Sequence, residues 1–128
     1  MSVAVAIEAL KDKVAEFGPT PYLVTVGADG RAHVVSVRAR VDGANVRVSA
    51  GRTSRANAGA NPAATLLWPA GTGEPYSLIV DGEADVDDAD DGELVIRPTR
   101  AVLHRVADAP GDLPNCVAVE EVRRPGDQ

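Results

Sequence analysis

From Val3 to Phe17 the apolar residues Ile7, Leu10, Val14 and Phe17 recur at spacings of three and four, the period of an amphipathic helix with one buried stripe. Gly18 suits the position just past the end of that helix, and Pro19 prevents its continuation. After Pro21 the period drops to two. Tyr22 to Val26 and Ala32 to Val41 read as strands around an Asp29-Gly30 turn, and Asp42-Gly43 repeats the device before Asn45 to Ala50. Those two turns predict a three-stranded antiparallel meander. Further along, Ala63 to Trp68 is an apolar strand, and Tyr76 to Val86 is a long one with a bulge or kink marked by Asp81-Gly82. Glu93 to Val106 is a last strand, interrupted at Pro98.

Six strands with short connections behind one leading helix predict a mainly β (α+β) protein built as a small barrel over residues 1–106. Between Ala107 and Gln128, Pro110, Gly111, Pro114, Pro125 and Gly126 break any long element. This predicts an irregular C-terminal tail over 107–128, in which Cys116-Val117-Ala118-Val119 offers one short edge strand. The chain of 128 residues fits a single domain with a real core.

Charge narrows the function classes. Nineteen acidic residues against thirteen basic ones give a net charge of −6, which argues against a nucleic-acid partner and requires any basic patch to be local. The single cysteine, Cys116, excludes an internal disulfide and a multi-cysteine zinc site. No apolar stretch reaches the ~18 residues of a membrane span. The expectation is a soluble, cytoplasmic protein without membrane contact.

The stretch with most chemistry lies between two strands. The alternating run Val46, Val48, Ala50 stops at Gly51, Arg52-Thr53-Ser54-Arg55-Ala56-Asn57 follows, and Asn61-Pro62 opens the next apolar run. Glycine allows close backbone approach, and the guanidiniums and hydroxyls supply donors. A helix starting near Thr53 or Ser54 would aim free N–H groups at an anion. That combination suits a phosphate, and the plain structural alternative is a capped helix with solvated arginines. The segment matches no Walker or dinucleotide fingerprint.

A hairpin with Asp-Gly turns, a strand ending in small or hydroxyl residues, a Ser/Thr and basic loop, Asn-Pro and an apolar strand ending in Trp68 together resemble the flavin-binding split-barrel superfamily that includes pyridoxamine 5′-phosphate oxidase. The resemblance runs from about Pro19 to Val106. The segments Phe17 to Leu23, Ser77 to Gly82 and Pro98 to His104 look like a small actinobacterial branch, among whose relatives are deazaflavin F420-dependent proteins. It implies a six-stranded antiparallel split β-barrel with an N-terminal helix and a short helix after strand 3. It also implies a homodimer with the cofactor, FMN or F420, at the subunit interface. Carried over, Val35, Ser36 and Val37 lie along the ring, Ser49, Ala50 and Gly51 offer backbone groups to its polar edge, and Arg52, Thr53, Ser54 and Arg55 hold the phosphate. Asn57 falls where relatives have Asn or Glu, and Ser54 stands where many carry lysine. The implied function is that of an oxidoreductase acting on a small-molecule substrate. The alternative is a non-catalytic module that carries flavin, deazaflavin or haem on the same fold.

The remaining features weigh less. Flavin and deazaflavin supply the hydride themselves, so no catalytic triad is required. His33 and His104 are the two histidines, each a candidate proton donor, although a lone strand histidine is more often a packing group. Two histidines without spaced carboxylates make no metal site. The acidic run Asp85 to Glu93 fails an EF-hand alignment because Pro98 stands where the bidentate glutamate belongs; a solvated turn fits better. Trp68 fits either a ring or dimer contact or a core position at a strand end.

Overall fold

The computed structural model describes residues 6–87, 92–105 and 116–118. Helix α1 (Ile7–Phe17) ends as its pattern predicts: Gly18 adopts φ 101° and its N–H donates to the Val14 carbonyl at 2.8 Å. Ala9, Leu10 and Val14 are buried and belong to the core. The stripe therefore closes one side of the barrel. Residues 3–5 of the expected helix lie outside the described residues.

The strands are β1 (Tyr22–Val26), β2 (Ala32–Ser36), β3 (Ala39–Asp42), β4 (Asn45–Ser49), β5 (Ala63–Trp68), β6 (Ser77–Asp87), β7 (Glu93–His104) and β8 (Cys116–Ala118), with helix α2 (Arg52–Ala60) between β4 and β5. All pairings are antiparallel, in the order β2-β1-β5-β6-β7-β4-β3, and β8 adds to β7 beside Val102–His104. The short strand anticipated at Cys116 is thus present over three residues; the rest of the tail lies outside the described residues.

This corrects two expectations. Eight strands replace six among the described residues, while the short helix follows the Asn45 strand as expected, which now counts as β4. The run from Ala32 to Val41 is not one strand of a meander but two strands, β2 on β1 and β3 on β4, at opposite edges of the sheet. The two edges are joined through only Val37 and Arg38, so the sheet must curl until they meet there. Backbone bonds hold this corner: Val37 N–H to Pro21 O at 3.0 Å, Ala39 N–H to Pro19 O at 2.7 Å and Ser49 N–H to Arg38 O at 2.9 Å. Ser49 Oγ also accepts from Arg38 N–H at 3.1 Å. Because β2 and β3 do not pair with each other, the barrel stays split along that seam.

A bulge sets the curvature on the far side. Asp81 pairs with Arg100 but Gly82 pairs with Pro98, which leaves Thr99 as the extra residue. Such a bulge bends the strand and raises its twist. The other edge of β7 accordingly serves two partners, β4 near its start and β8 near its end. The β4 end is braced electrostatically. Arg47 donates to Asp42 at 2.8 Å, Asp87 at 2.6 Å and Glu93 at 3.2 Å. These carboxylates, Asp87 foremost, raise the guanidinium's pKa above its ordinary value. The network ties β4, which leads into the loop at Gly51, to both arms of the β6–β7 connection.

Candidate functional site

Strand β4 stops at Ser49, and Gly51 enters α2 with extended backbone (φ −75°, ψ 178°). The helix has no side-chain N-cap and no acidic residue in its first turn. Its first internal bond runs from Arg55 N–H to Gly51 O at 3.0 Å, so the N–H groups of Arg52, Thr53 and Ser54 precede the helical ladder. A helix start carries positive partial charge, and Arg52 in the first turn adds more. Both features fit an anion and disfavour a cation. A Cβ built on Gly51 meets nothing within 4 Å, so space is open in front of the loop.

Across the split lies β2. Facing it, the helix start closes a cavity of about 330 Å³ lined by His33, Val35, Ser36, Val37, Ser49, Gly51, Arg52, Thr53 and Ser54. This size falls within the range of small-ligand sites. The lining is apolar along the strand and rich in donors at the helix, an arrangement that accepts a flat ring with a phosphate on one arm. The residues present therefore fit a phosphorylated flavin or deazaflavin.

Eight of the residues singled out from sequence meet in this cavity: Val35, Ser36, Val37, Ser49, Gly51, Arg52, Thr53 and Ser54. Four others do not line it. Ala50 is buried and its N–H donates to Gly92 O at 2.7 Å. Arg55 turns back and donates through Nη1 to the Ala50 carbonyl, which braces the β4–α2 turn. Asn57 donates through Nδ2 to Thr25 Oγ1 at 3.2 Å and so fastens α2 to β1. Trp68 is 2% exposed, in the core, with its indole N–H donating to Gly18 O at 2.7 Å. The sequence left His33 and His104 as equal candidates for a proton donor, and His33 is the one that lines the cavity. The signal was its spacing: His33, Val35 and Val37 share one face of extended chain at i, i+2.

A larger concavity, about 440 Å³, lies at the bulge and is lined by Val24, Val26, Thr65, Asp81, Glu83 and Thr99 among others. Its carboxylates are already engaged. Asp81 accepts from Thr65 at 2.7 Å and lies 3.5 Å from Arg100, and Glu83 pairs with Arg97. Among the described residues, no group of three His, Cys, Asp or Glu side chains is placed to hold a metal, and no helix is long and apolar enough to cross a membrane.

Comparison with solved structures places the fold. A putative pyridoxamine 5′-phosphate oxidase from Listeria innocua matches with TM-score 0.55 and 16% identity, over 72% of this chain and 95% of that one. An F420 reductase matches with TM-score 0.54 and 20% identity, over 65% and 88%. A haem-binding protein from Mycobacterium smegmatis matches with TM-score 0.58 and 14% identity, over 79% of this chain and 55% of that one. The fold is that of the pyridoxamine 5′-phosphate oxidase-like split barrels. No protein-family profile matches the chain. It belongs to the same family as two mycobacterial proteins, Mb0449c of Mycobacterium bovis and MT0457 of Mycobacterium tuberculosis, both uncharacterized. Each is 38% identical to it over 116 aligned positions, covering 77% of this chain and 81% of the relative.

Proposed function

We propose that the protein binds FMN or the deazaflavin F420 in the cleft between β2 and α2 and acts as an oxidoreductase on a small molecule. The observation that carries this reading is the cavity itself, with an uncapped helix start, Arg52 and three hydroxyl residues, Ser49, Thr53 and Ser54, at one side and the Val35–Val37 strand at the other. The group would contribute hydride exchange when bound. The chain's part is to hold the phosphate at the start of α2, orient the ring along β2 and keep water from it. An absorbance titration of the purified protein with each coenzyme tests the reading. Saturable spectral change is the expected result, and none with either coenzyme would falsify it. Arg52→Ala is expected to weaken binding by about 1.5 kcal/mol, a little over tenfold, as charge-assisted bonds to a phosphate are lost.

The same proposal includes a homodimer. Across the outside of the sheet, Val34 pairs with Val24, and Tyr22 pairs with Leu67, which pairs with Ile79. Val34 is 55% and Tyr22 41% exposed. An antiparallel sheet with one face on the core ordinarily presents polar side chains on the other; a cluster of apolar side chains on the outer face calls for a second layer. A second copy supplies that layer and covers the open side of the cleft. Sedimentation is expected to show a dimer, and Val24→Lys with Val34→Lys a monomer. A monomeric wild-type protein at high micromolar concentration would remove the dimer.

A second reading is a carrier on the same fold, for flavin, deazaflavin or haem. Among the described residues lining the cleft there is no carboxylate, which favours it, as does the likeness to the haem-binding protein. Oxidation of reduced coenzyme by added acceptors separates the two, since a carrier binds without turnover.

A further inference from the structure

We propose that His33 is the proton-transfer residue of the cleft, an inference that rests on the coenzyme reading above. His33 lies on β2 two residues before Val35, on the face that forms the cavity wall, and is half-buried there. Among the described residues its imidazole has no hydrogen-bond or ion-pair partner. It is therefore free to meet a ligand, not committed to the fold.

The surroundings leave it alone in that role. Among the described residues that line the cleft, His33 and Arg52 are the ionisable ones, and a guanidinium does not give up its proton in proteins. Serine and threonine hydroxyls titrate far outside the working range, whereas imidazole exchanges protons near neutrality. Among the described residues, the elements packed against His33 add no competitor. β1 and α2 contain no carboxylate in their sequences, and α2 contributes only Arg52 and Arg55, the latter turned to the Ala50 carbonyl. Asp29 and Arg31 belong to the turn before β2, where Asp29 Oδ1 accepts from Arg31 N–H at 3.0 Å. The wall behind is anchored. Thr25, the register partner of His33, is fully buried and held by Asn57.

Reduction of a double bond needs a proton as well as a hydride, and a positioned imidazole can deliver it. A bound coenzyme would supply hydride to one atom of a substrate double bond, and the neighbouring atom would then need a proton. His33, as imidazolium, gives a ring N–H proton to that atom, becomes neutral and regains a proton from water. In the reverse direction its neutral ring nitrogen accepts the proton. Hydride and proton then balance, with the reduced coenzyme giving the hydride and solvent replacing the proton.

The chain has two histidines, and His104, exposed at the end of β7 and outside the cleft, serves as an internal reference. The full chain is titrated with FMN, and separately with F420, while both imidazoles are followed by NMR. At saturation the His33 ring resonances are expected to shift, with their titration midpoint moving by about half a pH unit or more, and those of His104 to stay. The midpoint potential of the bound coenzyme should bend with pH at the His33 titration in the wild type and run straight through it in folded His33→Gln. Coenzyme that binds without moving His33, or a His33→Gln curve identical to wild type, overturns the assignment alone. Binding of neither coenzyme is seen first, by absorbance, and overturns the coenzyme reading together with this step.

Discussion

Trp68→Ala is expected to destabilise the protein by about 4 kcal/mol, the middle of the range for removing a large buried aromatic side chain. Trp68 is 2% exposed at the end of β5, and its indole N–H donates to Gly18 O at 2.7 Å. The residue thus joins the last turn of α1 to the sheet. Truncation leaves a cavity and deprives the Gly18 carbonyl of its donor. Trp68→Phe keeps most of the packing and loses the bond, at about 1 kcal/mol. Chemical denaturation measures both, with the slope unchanged. Coenzyme affinity of Trp68→Phe should equal that of wild type, because Trp68 does not line the cleft. A loss below about 1 kcal/mol for the alanine variant would mean that Trp68 is not in the core.

Gly82→Ala is expected to cost about 3 kcal/mol, the upper end for overpacking. A Cβ at Gly82 would stand 2.5 Å from Arg97 O and 2.9 Å from Ile96 Cγ2. A carbonyl oxygen in the adjoining strand is not a flexible side-chain tip and cannot swing away. β7 would have to move, and with it the bulge that lets Val46–Ser49 pair at one end and Cys116–Ala118 at the other. The site should feel this indirectly, since β4 carries the loop at Gly51. A shift in denaturation midpoint smaller than that of a surface substitution, roughly 0.5 kcal/mol, would show that β6 and β7 do not approach so closely.

Much of the chain order was legible because local rules suffice for it. The period of Leu10, Val14 and Phe17 with Gly18 behind it defines α1 to its last residue, and Ala63 to Trp68 is β5 as its apolar run predicted. Gly43 with φ 62° and Gly30 with φ 82° stand in the turns anticipated for them. Asp81-Gly82 marks the bulge. The donor-rich loop around Gly51 was legible because glycine, hydroxyls and arginine next to a helix start are local chemistry.

What stayed hidden involved partners distant in sequence. Ala32 to Val41 alternates without interruption, with Val35, Val37, Ala39 and Val41 at one phase, so nothing in its periodicity reveals that the chain changes sheet edge at Val37-Arg38. Alternation records which face is covered, not which strand lies alongside. Likewise Arg52 and Arg55 looked equivalent, and only the fold sends Arg55 back to Ala50 and leaves Arg52 in the cleft. The sequence by itself determined the helices, most strand limits, both glycine turns and the donor-rich loop, because each depends on residues within a few positions. The tertiary structure decided the split between β2 and β3, the burial of Trp68 and the placing of His33 opposite the start of α2. Those depend on how a curled sheet brings its two edges together, and no local pattern carries that.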